Sequence, residues 1–439
     1  MQLRQLVLWS GAFALASGVV KMAYMGLVAV LAALLPPGNF AAFGMLYAAQ
    51  TAMGTYAGVG VQETVIGRLS KCKSDSDRDI LFREAQRLFG LTAGLAAVII
   101  LAVLHALDFP QLGKLSTLLA IFLGGVNAAA VLQSALNRLH GQYSVALCFA
   151  TAVPVAGTIA GLGAFYIEKT VDAVFAGGAI GSGAVFAYLV ARGRAYWPRE
   201  RRKERIWQQL TGLLPFIGIA TFGWAGGYGM AIAIGALFEP VEVAHYTFLI
   251  TVASVAQLVA TALNLVWAPR FYQLILSGEQ HTAEIHSRRL YGGLSIVIGI
   301  VAAVSVGSLP WVTGAVGGNL TYYGSMRMEL ALLFIGYILI APWWHAQNYF
   351  LVRNQGQRLM KVVVLTGSAG IGMWIVCMMI LGPVGIYIGF ILQIAAKSIG
   401  AWVAGRRTWK LRPSWGAISI GMALVMLGLL GPIPIPVGR

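Results

Sequence analysis

Acidic side chains are scarce in this chain, with 15 Asp and Glu against 31 Lys and Arg in 439 residues. Charged residues of both signs reach only 10%, against 58% hydrophobic ones, which leaves too little polar surface for a water-soluble globule and points to a polytopic membrane protein. Cysteine is equally sparse: Cys72, Cys148 and Cys377 stand alone in the sequence, which excludes a disulfide framework and any zinc-ligand spacing. The six histidines show no paired arrangement, and no catalytic residues or metal ligands stand out. No cofactor signature is present, and the chain lacks a phosphate-binding glycine loop with its lysine, so direct ATP drive would require a partner. Long loops are missing too, since the largest inner one is roughly twenty residues, and a separate catalytic or nucleotide-binding domain needs far more chain.

What is present is apolar sequence. A window of about 19 residues finds runs near 7–34, 40–66, 88–107, 115–136, 143–166, 173–191, 209–237, 244–267, 291–313, 328–350, 362–381 and 384–403. These predict an all-α polytopic membrane protein with twelve core transmembrane helices. A thirteenth run, Gly416 to Gly431, is marginal in length and ends at Pro432, Pro434 and Pro436, so a last span and an interfacial or re-entrant tail both remain open. Met1 to Ser17 imitates a signal peptide, but the apolar stretch continues to Leu35, too far for a cleaved leader.

The cations are distributed by side. Twenty-five of the 31 fall in alternate gaps, among them Arg4, Arg68 to Arg87, Arg138, Arg192 to Arg205, Arg270 to Arg289, Arg353 to Lys361 and Arg406 to Arg412. The opposite gaps hold only Lys114, Lys169, Arg327 and Arg439. Cytoplasmic loops retain lysine and arginine during insertion, so the pattern predicts a cytoplasmic amino terminus. It also accounts for the net charge of +16 without nucleic acid. Tryptophans near the run ends, such as Trp197, Trp267, Trp311 and Trp415, suit the headgroup zone.

The two halves repeat one another. Arg138, Gly141 and Gln142 between spans 4 and 5 return as Arg353, Gly356 and Gln357 between spans 10 and 11, and Pro37 with Phe43 before span 2 returns as Pro240 with Tyr246 before span 8. In that register Thr51 falls on Ser254, and the inner-end Arg68 lies within one residue of Arg270. Four matches in order, six spans apart, predict a parallel duplication. The expected organisation is a six-helix bundle over 1–191, a basic cytoplasmic linker over 192–208, a second six-helix bundle over 209–403, and a basic loop with the marginal apolar segment over 404–439.

Residues 19 to 71 resemble the opening of a known family. They carry a basic residue in helix 1 at Lys21, a turn at Leu35-Pro36-Pro37-Gly38, a Phe43-Gly44 pair, a glycine turn near Gly58 and Gly60, and an inner Arg68. That pattern is similar to the polysaccharide transporters, or lipid-linked oligosaccharide flippases, including O-antigen flippases, of the multidrug/oligosaccharidyl-lipid/polysaccharide exporter superfamily. The turns at Arg138 and Arg353 look like that family's helix 4/5 and 10/11 turns. The chain departs from the pattern in having proline where the turn often has glycine. The resemblance implies two six-helix bundles around a central cavity, alternating between inward-open and outward-open states. It also implies a polyprenyl-diphosphate-linked glycan as substrate, membrane lipid around it, and polysaccharide polymerase and assembly proteins downstream.

Several intramembrane polar residues are candidates for the substrate cavity. Lys21 lies fourteen residues beyond Val7, roughly 21 Å along a helix and near mid-membrane. A lysine there costs about 2.5 to 3.5 kcal/mol when inserted, so it should face either a wet cavity with an anionic substrate or a structural partner such as backbone carbonyls or Glu63. Glu63, near the inner end of span 2, could pair with a cation, bind a coupling ion, proton or sodium, or simply meet the water at the inner surface. Lys397 sits about six residues from the inner end of span 12, placed to line the cavity or to reach the interface. Ser254, Gln257, Thr261 and Asn264 recur at steps of three, four and three, which puts them on one helical face. Trp344, His345 and Asn348 follow Pro342 and offer either a sugar-binding surface or interhelical packing. Gly223 to Gly229 in span 7 is a candidate hinge or a close-packing segment.

Two further functions compete. An ion-coupled multidrug exporter of the same fold would favour buried carboxylates, which are rare here. A membrane glycan polymerase, ligase or acyltransferase using His345 or Glu63 as base would need larger outer loops.

Overall fold

A computed structural model of the chain describes residues 3–61, 65, 75–107, 109, 112–193, 206–353, 355–406, 409 and 412–431. Almost every described residue is helical, because an apolar chain in lipid must satisfy its backbone within each segment. The helices are α1 (Leu3–Leu34), α2 (Pro37–Tyr56), α3 (Asp75–Leu107), α4 (Lys114–Leu139), α5 (Tyr143–Glu168), α6 (Val171–Ala191), α7 (Ile206–Ala225), α8 (Met230–Leu237) and α9 (Pro240–Ala253). They continue as α10 (Val255–Leu276), α11 (Gln280–Val316), α12 (Arg327–Ile338), α13 (Ala341–Val352), α14 (Gly356–Leu381), α15 (Val384–Arg406) and α16 (Trp415–Leu429), with a 3-10 turn at Gly318–Ser325 before α12.

Ten helical segments among the described residues are long and apolar enough to cross a membrane. An eleventh is a bent pair, Phe216–Ala225 with Met230–Leu237, turned by 49°. The remaining expected span corresponds to the 20 residues of α2, which passes into a turn over 57–60; residues 62–64 and 66–74 lie outside the described residues.

Three spans are interrupted where the sequence reads as continuous. The α7/α8 break falls on the glycine-rich 226–229 stretch. Span 8 divides into α9 and α10 at Ser254, whose hydroxyl donates to the Thr251 carbonyl at 2.6 Å. Span 10 divides into α12 and α13, with Pro342 in the first turn of α13, where a missing N–H costs nothing.

By packing the chain forms two units: Met1–Leu27, Gly38–Trp224 and Tyr228–Ala236 make unit 1, while Val28–Pro37, Ala225–Gly227 and Leu237–Arg439 make unit 2. This partition differs from the boundary near residue 209 that the repeat suggests, because the span-7 helices pack on unit 1. There the Trp224 indole donates to the Ala48 carbonyl at 3.0 Å, and a Cβ on Gly60 would meet Leu213 and Phe216 at about 3.0 Å.

Within unit 1, α5 and α6 are held together by small residues. A Cβ on Gly181 would lie 2.6 Å from the Ala156 carbonyl, and one on Gly161 would lie 2.8 Å from the Val174 carbonyl, so only glycine permits the approach that drives association in lipid. Thr170 caps α6 by accepting from the Ala173 N–H at 3.2 Å.

Unit 2 gives the marginal last run a defined place. At 15 residues, or about 22 Å, α16 falls short of a full crossing and lies along α11 with Gly421 2.7 Å from where a Gly299 Cβ would stand. Arg327 closes its C-terminal end, donating to the Gly428 carbonyl at 2.5 Å and the Gly431 carbonyl at 3.3 Å. A guanidinium on helix-terminal carbonyls supplies donors for their lone pairs and complements the helix dipole.

Candidate functional site

Each unit carries a polar constellation inside its apolar body. In unit 1 it is built on Lys21. The α1 span runs over Gly11–Leu34, so Lys21 sits close to its middle, with the side chain half-buried. Its ammonium donates to the Tyr228 hydroxyl at 2.9 Å and stands 5.4 Å from the Tyr228 ring and 5.8 Å from the Tyr24 ring. Tyr47 completes the cage, stacked on Tyr24 at 4.2 Å and edge-on to Tyr228 at 5.0 Å. Ring faces attract a cation without neutralising it, and no carboxylate contacts Lys21 among the described residues. The bend between α7 and α8 brings Tyr228 to this position.

Tyr24 and Tyr47 also border a cavity of about 140 Å³ with Gln50, Asn127, Thr158 and Ser182 in its wall. The Asn127 side-chain carbonyl is buried with no partner among the described residues. A second hollow in unit 1, about 400 Å³, is almost wholly apolar and is lined by Tyr56, Leu95, Ile99, Val103 and Trp224 among others.

In unit 2 the constellation joins three helices. The Asn264 side-chain oxygen accepts from the Tyr291 hydroxyl at 2.8 Å and from the Asn348 amide at 2.9 Å, and that amide also reaches the Tyr291 oxygen at 2.8 Å. His345 stacks against Tyr291 and lies tilted against Tyr349, each at 5.8 Å. Both His345 and Asn348 are only 2% exposed, which makes this a core network, costly to leave half-satisfied. Lys397 is separate from it. That residue is 9% exposed and its ammonium sits 4.3 Å from the Trp343 ring centroid, so it points into the unit instead of snorkelling to an interface.

The expected span-8 stripe is therefore divided. Ser254 is buried and bonds to its own helix, Gln257 and Thr261 are exposed, and Asn264 joins the network. Trp344 is partly buried, with its indole N–H lacking a partner among the described residues. Arg270 is exposed near the end of α10, whereas Glu63 and Arg68 lie outside the described residues. Sequence reasoning missed Tyr24, Tyr47, Tyr228 and Tyr291. Only Tyr24 left a signal, being one helical turn from Lys21.

A scan of protein-family models and a search of curated proteins by sequence find no match. Solved structures do match over nearly the whole chain. An inward-facing multidrug resistance MATE family transporter of the MOP superfamily aligns with a TM-score of 0.65 at 13% identity, covering 90% of this chain and 97% of that one. The lipid II flippase MurJ in an inward closed conformation gives 0.58 at 12% identity over 95% and 91%. The Vibrio cholerae MATE transporter VcmN gives 0.53 at 14% identity over 92% and 96%. At such identities the likeness establishes the fold, that of the MOP-superfamily transporters, and leaves the cargo to be argued from the residues.

Proposed function

We propose that this chain is a flippase that moves a polyprenyl-diphosphate-linked oligosaccharide from the cytoplasmic to the outer leaflet of a bacterial inner membrane by alternating access, for cell-surface or exopolysaccharide assembly, O-antigen included. The observation that carries this reading is Lys21, a mid-span ammonium held by a tyrosine hydroxyl and two ring faces and left without a carboxylate among the described residues. An unneutralised cation at that depth suits an anionic headgroup, and the tyrosine rings beside it suit the apolar faces of sugars.

Drug exporters share the fold, and an ion-coupled exporter of cationic compounds is the competing reading. A cationic cargo would be repelled by Lys21 and would favour an intramembrane carboxylate, which the described spans near Lys21 do not offer. An enzymatic reading is weaker, because the outer loops leave no space for a substrate-binding catalytic domain.

In the cycle we infer, the diphosphate headgroup meets Lys21 from the cytoplasmic side. The polyprenyl tail stays in lipid or in the apolar hollow beside Leu95, Ile99 and Val103, and the head is released outside to the polymerase and assembly proteins. An inside-negative potential would assist by about 2.3 kcal/mol per charge per 100 mV, or at most roughly 4 to 5 kcal/mol for a diphosphate that crosses the full field. Lys21 offsets part of that charge if it moves through the field with the cargo.

Deletion of the gene in its host, followed by lipid extraction, distinguishes the readings. A flippase leaves intact polyprenyl-linked repeat units on the inner leaflet. Units found flipped but unpolymerised would instead indicate a polymerase, and an unaltered lipid-linked pool with increased drug sensitivity would indicate an exporter.

A further inference from the structure

Unit 2 carries a groove of about 480 Å³ between α10 and α11 that the transport reading does not use. Its floor is apolar, with Val259 and Leu263 from α10 and Leu290, Leu294 and Val297 from α11. Its far end is basic: Arg289 and His286 line it, Arg270 continues the α10 stripe beyond Trp267, and all three are exposed. The two helices are joined by a short turn over residues 277–279, so both basic ends lie at the same membrane surface, the one that the loop charges assign to the cytoplasm.

The wall at that end is fixed. The Trp267 indole donates to the Ser287 hydroxyl at 2.9 Å and stacks on the His286 ring at 6.3 Å. Of the nearby carboxylates, Glu279 accepts from Ser277 at 3.3 Å in the turn, and Glu284 stands two residues before His286 on α11, about 200° around the helix, so the two face opposite sides.

Length identifies the occupant. From His286 to Val297 the groove follows α11 for about 16 Å and from Trp267 to Val259 it follows α10 for about 12 Å, at 1.5 Å per residue. Half the hydrocarbon thickness is about 15 Å. An apolar trough one leaflet deep, closed at headgroup level by arginine, histidine and tryptophan, has the dimensions and charge of a phospholipid site. Basic pockets between transmembrane helices on the cytoplasmic side characteristically take anionic headgroups. We propose that this groove binds an anionic phospholipid of the cytoplasmic leaflet, with its phosphate on Arg289 and His286 and one acyl chain along Leu290, Leu294 and Val297. The proposal does not depend on the cargo of the transporter.

Native mass spectrometry of the purified full-length protein, delipidated in detergent and then titrated with phosphatidylglycerol or phosphatidylcholine, tests it. The expected result is a retained phosphatidylglycerol adduct, with phosphatidylcholine bound more weakly and inorganic phosphate unable to displace it. The double variant Arg289→Gln/His286→Gln should lower retention about fivefold or more, since a surface arginine contributes about 1 kcal/mol to anionic lipid binding. Gly293→Leu is the second variant. No atom lies within 4 Å of a Cβ placed there, so the fold is preserved while the floor of the groove is filled with its charges intact, and the adduct should again be lost. Equal retention of both lipids, undiminished phosphatidylglycerol binding in the two variants, displacement by inorganic phosphate, or retention of polyprenyl diphosphate in place of phosphatidylglycerol would each overturn the proposal.

Discussion

Among the described residues the Lys21 ammonium meets a hydroxyl and two ring faces and no carboxylate. A carboxylate partner would cancel its charge, whereas one hydroxyl at 2.9 Å and two ring faces orient the charge and leave it available. A hydrogen bond to a charged group contributes roughly 1.5 to 3 kcal/mol, so Tyr228→Phe should leave the protein folded and lower the rate of flipping several-fold, measured in host membranes at matched expression. An unchanged rate would separate Tyr228 from the transport site. In unit 2, Asn348 donates to both Asn264 and Tyr291. Its replacement in Asn348→Leu should destabilise the protein by about 1 kcal/mol, in the range measured for polar contacts inside membranes, seen as a lower melting temperature in detergent. The position of Lys21 was legible in the sequence because a cation in the middle of an apolar run has few explanations. Its partner was not, since Tyr228 lies 207 residues away and only the fold unites them. For the same reason, the regular steps from Ser254 to Asn264 marked a face but could not reveal that the helix breaks at Ser254.

The helices themselves were largely visible as apolar runs, because lipid forces each run to satisfy its own backbone. The interruptions were less so. The α7/α8 bend falls on a glycine cluster that marked it, and Pro342 marked the start of α13. Ser254 gave no comparable warning, since a serine that bonds back to its own helix is ordinary until the local geometry is known. Glycine carries two meanings at this scale, which a pair of variants separates. Gly181→Leu would drive a side chain into the Ala156 carbonyl, 2.6 Å from its Cβ position, whereas Gly163 on the neighbouring α5 has nothing within 4 Å. Gly181→Leu should abolish monodisperse protein on size exclusion, and Gly163→Leu should leave it unchanged. Similar elution of both variants would mean that the α5/α6 contact yields more easily than its geometry implies.

For the whole molecule, the cations in the loops and the cation in the first span carry separate information. The loop charges predict which surface faces the cytoplasm. With the native cysteines replaced, a single cysteine at Lys169 should react with a membrane-impermeant maleimide in intact cells, and one at Glu279 should not; the reverse pattern would invert the topology. The partition into two packing units was not legible, because the repeat divides the sequence near residue 209 while the contacts of Trp224 and Gly60 carry the seventh span into unit 1. The central claim is that this fold carries an anionic lipid-linked glycan and that Lys21 receives its headgroup. The most direct measurement is flipping of a fluorescent polyprenyl-diphosphate oligosaccharide in proteoliposomes by the wild type, Lys21→Arg and Lys21→Gln at equal incorporation, with a cationic dye as second cargo. The account predicts flipping by the wild type, partial flipping by Lys21→Arg, near-complete loss in Lys21→Gln, and no dye transport by any of the three. Full flipping by Lys21→Gln, or dye transport by the wild type without movement of the glycan, would contradict it.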